Sequence, residues 1–229
     1  QPLWAGQPAF VVASGPSLDE KQLHKIRMTR IMKNWRVMVV NDVCRDAPWA
    51  DAMYACDNHW WTHANVNGAR GFTGRKFTSY DTDKGSSNAK DQIPDEYGLD
   101  FIRGDHGNEF STDPSFIRYG QNSGFQAINL TLLLQGFYEH PAYVVLVGFD
   151  MSSWGGDAHY FGNHPQGLVS NPSYERWIKN FDMAADKLPE GTTIVNASAK
   201  TKLTAFPKMS LGEAIENYSL HRDRAVVNG

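Results

Sequence analysis

Ala9-Phe10-Val11-Val12-Ala13-Ser14-Gly15-Pro16-Ser17-Leu18-Asp19-Glu20 joins a buried-strand pattern to a glycine turn and a helix start. Phe10, Val11 and Val12 form the short apolar run expected of a central parallel strand, which is covered on both faces. Ser14-Gly15-Pro16 break that run where the chain must turn sharply. Ser17 with Glu20 three residues on reads as a capping box, which predicts a helix opening beside the carboxyl end of the strand with free backbone N–H groups toward the turn. Strand, tight turn and helix start in this order make a seat for phosphate, and an ordinary capped strand-to-helix turn has the same letters.

Working outward, strand-like runs recur at 10–13, 37–40, 52–56, 77–80, 101–103, 143–147 and 193–196, several of them separated by helical patterns. That alternation predicts an α/β fold: one Rossmann-like domain over 1–229, its sheet mainly parallel and twisted, with helices on both faces. The clearest helix opens after Asn122-Ser123 and runs to Gly136, a suitable C-terminal stop, before feeding into the run at 143–147. A second is expected over 174–187, where Trp177, Ile178, Phe181 and Ala184 or Ala185 recur at helical spacing and read as core. The polar stretch 81–94 is the one long connection.

The bulk properties narrow the function classes. A 229-residue chain with 41% hydrophobic and 12% aromatic residues can bury a substantial core, and a net charge of -3 gives no nucleic-acid signature. Basic residues between Lys21 and Arg36 alternate with apolar ones, as on a solvated helix face. Two cysteines, Cys44 and Cys56, are too few for a secreted disulfide framework and have no zinc spacing, which points to a reducing, cytoplasmic setting. No secretory leader pattern and no span of membrane length is legible.

In a doubly wound sheet the ligand crevice lies outside the carboxyl ends of the strands. The residues there are polar: Ser14-Gly15 after the first strand, Asn41-Asp42 after the second, Asp57-Asn58 after the third, and Gly148-Phe149-Asp150 after the run at 143–147. Asn122-Ser123-Gly124 opens a helix on the same sheet. Each of these types is common in turns and caps, and together they outline one pocket edge.

These pieces, with His159-Tyr160-Phe161-Gly162-Asn163-His164, resemble in order and rough spacing the bacterial sialyltransferases of glycosyltransferase family 42, over about 9–206. The resemblance implies a cytidine monophosphate sugar as the nucleotide-sugar donor, held by Ser14, Gly15, Pro16, Ser17, Asn41, Ser123 and Gly124, with no metal required. It implies His164 as general base, with Asn163 a rival at the aligned position. Ser14 stands where that family has Asn, and Ser152 and Ala158 stand where its two phosphate-binding tyrosines would be. The Gly-Pro-Ser-Leu and Gly-Phe-Asp pieces are also similar to the archaeal-type 6-hydroxymethylpterin diphosphokinases and their uncharacterised phage and prophage relatives. That second resemblance implies ATP with magnesium, and makes Asp42, Asp57 and Asp150 candidate metal ligands.

The chemistry of sugar transfer asks for a base near neutrality to take the acceptor's hydroxyl proton, and His164 and then His159 are the candidates. Both lie on a glycine-rich, aromatic segment, about 151–170, that can fold as a lid carrying Tyr160 over the crevice. Charge on the leaving nucleotide falls to the two helix starts, after Gly15 and after Ser123. Asp81-Thr82-Asp83 has the letters of an Asp-x-Asp metal motif within a polar loop, and reads as a solvated turn. His59 and His63 are four apart but lack the Glu of a metalloprotease helix, so Trp60 and Trp61 read as an aromatic helix start flanking the pocket. The acceptor class is open among glycan, nucleic-acid base and small metabolite. A non-catalytic nucleotide-binding or assembly module stands beside both enzyme readings.

Overall fold

The computed structural model describes residues 2–63, 68–81, 93, 95–153, 156–162 and 172–227, with side chains up to Ser219. Eight strands form one sheet: β1 (Ala9–Val12), β2 (Arg36–Val40), β3 (Ala52–Tyr54), β4 (Arg75–Asp81), β5 (Leu99–Asp105), β6 (Phe116–Arg118), β7 (Ala142–Val147) and β8 (Thr192–Asn196). Their order is β6-β5-β4-β3-β2-β1-β7-β8, and every pairing is parallel. The chain therefore builds outward from β1 to one edge, then returns to the other side of β1 to add β7 and β8. The reversal between β1 and β7 is a topological switch point, where adjacent crossovers diverge and leave a crevice above the strand ends.

Both faces are covered, so the central strands are apolar on both sides. Phe10 and Val12 face one core with Val37, Val39, Val145 and Val147, whereas Ala9 and Val11 face the other with Met38, Val40, Val144 and Leu146. That alternation follows from the two-residue repeat of a strand. The first core is covered by α1 (Glu20–Lys33), by the indoles of α2 (Asn58–Thr62) and by α5 (Leu211–Val227). The second is covered by α3 (Ser123–Gln135) and α4 (Tyr174–Ala185). Among the described residues no helix is long and apolar enough to cross a membrane.

Several elements depart from the sequence expectation. The capping box of α1 is formed by Asp19 and Gln22 rather than Ser17 and Glu20: Asp19 Oδ1 accepts from the Gln22 amide at 2.7 Å and Gln22 Oε1 from the Asp19 amide at 3.0 Å. The helix thus starts later, and residues 13–18 form an irregular turn that leaves Ser17 to bond elsewhere. β6 has no counterpart among the expected strands, although its Phe-Ile-Arg repeats the letters of the run at 101–103. The residues after β2, Asn41–Arg45, turn into a 3-10 helix. α3 matches its expected caps, with Asn122 Oδ1 accepting from the Phe125 amide at 3.0 Å and Gly136 left-handed at φ +70°. The basic face of α1 is partly engaged, since Arg30 makes two bonds of 2.9 Å to Asp51, which also takes Arg36 at 3.1 Å and the Val37 amide at 2.9 Å.

Candidate functional site

A cleft of about 350 Å³ opens at the switch point, above the carboxyl ends of β1, β2, β3 and β7. Ser14 and Gly15 reach it from β1, Asn41 from β2, Cys56 and Asp57 from β3, and Gly148, Phe149 and Asp150 from β7. Gln121, Asn122, Ser123 and Gly124 bring the first turn of α3 to the opposite wall, and Trp60, His159, Tyr174 and Trp177 line the cleft from α2, the 156–162 segment and α4.

The β1 and β7 turns are locked together. The Gly15 amide donates to the Gly148 carbonyl at 2.9 Å, extending the ladder bond from Ala13 to Val147 at 2.8 Å. A Cβ on Gly15 would lie 2.0 Å from Asp150 Oδ2 and 2.3 Å from the Gly148 carbonyl oxygen, so the close approach itself requires glycine. Gly148 is left-handed at φ +73°, and a Cβ there would meet the Ala13 carbonyl oxygen at 2.0 Å. Asp150 Oδ2 accepts from the Ser17 amide at 3.2 Å and the Ser17 hydroxyl at 2.9 Å, which is the role Ser17 takes in place of capping. Burial pushes the Asp150 carboxyl above the ordinary carboxylate range, partly offset by the Ser17 bonds.

On the facing wall, the N-terminal amides of α3 lie beyond the reach of intrahelical partners and carry the positive end of the helix dipole. Beneath them, Tyr54 and Ser79 both donate to Gln126 Oε1, while Gln126 Nε2 donates to the Tyr119 carbonyl at 3.0 Å. This buried network fixes the first turns of the helix against β3 and β4. Cys56 Sγ and Ser123 Oγ are 3.0 Å apart, and burial raises the Cys56 thiol, so it stays protonated near neutrality.

His159 Nδ1 lies 2.9 Å from Ser14 Oγ, and the ring stacks on Phe161 at 5.0 Å and 8°. The segment carrying it is strapped down at two further points: the Tyr160 amide donates to the Ser14 carbonyl at 3.0 Å, and the Tyr160 hydroxyl donates to Asp46. Burial and that carboxylate hold the Tyr160 phenol well above its usual range. Gly156 and Gly162, left-handed at φ +96° and +94°, bracket the strap, and among the described residues nothing lies within 4 Å of a Cβ at either. Backbone strain is concentrated here as well. Of the four non-glycine residues with positive φ among those described, Asn41 (+51°), Gln121 (+58°) and Met151 (+49°) all line the cleft.

The sequence-derived candidates divide accordingly. Ser14, Gly15, Asn41, Asp57, Asn122, Ser123, Gly124, Asp150 and His159 come together in the cleft, whereas Pro16, Ser17, Asp42 and Tyr160 stand behind it. Asp42 is buried and turned away, ion-paired to Arg45 at 2.7 Å and accepting from the Trp60 indole at 3.1 Å. Asp57 caps α2 through the His59 amide at 2.9 Å. His164, Asn163, Thr82 and Asp83 lie outside the described residues. Trp177, read as core from its helical spacing, reaches the cleft, because the period of a helix does not separate core from rim. Cys56, Gln121 and Met151 carried no sequence signal beyond their neighbours. Among the described residues no group of three or more His, Cys, Asp or Glu side chains is arranged to hold a metal ion. No protein-family model, curated protein or solved structure matches the chain.

Proposed function

We propose that the protein is a nucleotide-sugar-dependent glycosyltransferase, sialyltransferase-like in its donor, with an imidazole base. The observation that carries the reading is the pairing of His159 and Ser14 in the switch-point cleft, opposite the first turn of α3. With its proton on Nδ1, His159 donates to Ser14 Oγ, and Nε2 is the ring's acceptor nitrogen. The acceptor hydroxyl gives its proton to Nε2 as its oxygen bonds the anomeric carbon. The bond from that carbon to the phosphate oxygen breaks, and its electron pair leaves with the nucleotide monophosphate.

The charge of the cleft supports a donor with one phosphate. None of the described lining residues is Lys or Arg. A helix N-terminus, worth roughly half a positive charge, and the imidazolium formed when His159 takes the acceptor proton balance a leaving nucleoside monophosphate better than a diphosphate. The cleft volume of about 350 Å³ falls in the ordinary range for small-molecule sites, roughly 300–1,000 Å³. A second reading, transfer from ATP carried by magnesium, draws support from Asp57 and Asp150, two carboxylates on the cleft wall.

The test is a thermal-shift panel of CMP, CDP, UDP, GDP, ADP, ATP and CMP-sialic acid, each with magnesium and with EDTA. Stabilisation by cytidine monophosphate ligands in EDTA is expected. Stabilisation by ATP only with magnesium selects the second reading, and no response to any nucleotide leaves a binding or assembly module. Turnover in His159→Ala should fall by about 10²–10⁴ with donor affinity kept. Full turnover in that variant removes His159 as the base.

A further inference from the structure

Asp150 is 1% exposed, yet it lines the cleft. Its Oδ2 is occupied by Ser17, which stands behind the cleft wall. Its Oδ1 is buried and has no hydrogen-bond partner from another described residue. A carboxylate oxygen stripped of water and given no donor by another described residue opposes folding. The surrounding chain nevertheless keeps it there, leaving position 15 without a side chain where a Cβ would collide with Oδ2 at 2.0 Å.

The carboxyl also divides the cleft by charge. Beside the Gly15 turn it repels phosphate, which moves the phosphate seat across to the amides of Ser123 and Gly124 at the start of α3. What Oδ1 can take is a hydrogen-bond donor on the ligand. We infer that Asp150 is a specificity-determining residue that accepts, through Oδ1, a hydrogen bond from a sugar hydroxyl of the nucleotide sugar. The inference rests on the nucleotide-sugar reading of the cleft. The hydroxyl belongs either to the ribose of the nucleotide or to the transferred sugar, and the two are separable.

The experiment is calorimetric titration of the wild-type chain and Asp150→Asn with CMP, 2′-deoxy-CMP, 3′-deoxy-CMP and CMP-sialic acid. Asparagine keeps an oxygen for Ser17 and puts an N–H group where Oδ1 was. For a ribose hydroxyl, the wild type should bind one deoxy analogue about tenfold more weakly than CMP, and Asp150→Asn should weaken CMP by a similar factor and lose the discrimination. For a hydroxyl on the transferred sugar, CMP and its deoxy analogues bind alike and only CMP-sialic acid is weakened in the variant. Unchanged affinities for all four ligands in Asp150→Asn overturn the inference alone. Absence of any cytidine binding to the wild type overturns the nucleotide-sugar reading and the inference with it. Should Asp150→Asn fail to fold, Ser17→Ala frees Oδ2 and lets the carboxyl turn. The ratio of affinities among the four ligands must then change at least about threefold, and an unchanged ratio overturns the inference.

Discussion

At the scale of single residues, Asp150, proposed above to contact the ligand, also bears on stability. Its carboxyl is raised above the ordinary range chiefly by burial, so the folded chain holds the proton more tightly than the unfolded chain, in which aspartate titrates near about 3.9. This contribution is fully present below the unfolded value and is lost as pH rises through the folded one. Asp150→Asn, which removes the charge and keeps an acceptor for Ser17, should therefore raise the melting temperature at pH 7–8 more than at pH 4. Melting curves at the two pH values check this, and an equal or opposite shift rejects it. Much of this level was legible in the sequence. Ser14, Asn41, Asp57 and Asp150 each follow an apolar run, and in a parallel sheet that position faces the crevice. Ser17 was misread because Ser-x-x-Glu and Asp-x-x-Gln overlap in 17–22, and local letters do not say which box closes once Asp150 competes for the serine.

At the scale of elements, α3 is the piece on which the cleft depends. Its cap, its glycine stop and its long apolar run made it readable, since each lies within the helix or one residue from it. Asn122→Ala should cost about 1 kcal/mol by loss of the cap, and lower the melting temperature by about 2–4 °C in a chain of this size. It should also weaken nucleotide binding, because the same turn presents the amides assigned to phosphate. An unchanged melt would show that the Asn122 side chain is not the cap in solution. The network that seats this helix, from Tyr54 and Ser79 to Gln126, was invisible in sequence: its members lie up to 72 positions apart and nothing local marks a buried glutamine as satisfied. β6 escaped although its Phe-Ile-Arg repeats the letters read as a strand at 101–103, and the 3-10 helix after Asn41 is too short to display a helical period.

At the scale of the whole molecule, sheet order is what turns scattered polar residues into one site. The alternation of apolar runs and helical patterns revealed an α/β fold with a parallel sheet. The reversal between β1 and β7, by contrast, depends on which strand the chain returns to. α5 also belongs to this level. Tyr143, on β7, donates to the Ala214 carbonyl at 2.8 Å and packs with Trp35 and Tyr218, tying the last helix to the centre of the sheet. A chain ending at Ser210 uncovers that core and should lose cooperative unfolding; calorimetry would decide, and a sharp transition at the original temperature rejects the assignment. The strained backbones of Asn41, Gln121 and Met151 bear on laboratory evolution. A glycine at Asn41 or Gln121 relieves a left-handed conformation without displacing a core side chain, whereas at Met151 it also removes a side chain packed on the second core, so mutants selected for heat resistance alone will accumulate at the first two positions on the cleft rim. Their gain in thermal tolerance should come with a loss of ligand affinity, which makes paired selection for heat and binding the sound way to improve this scaffold.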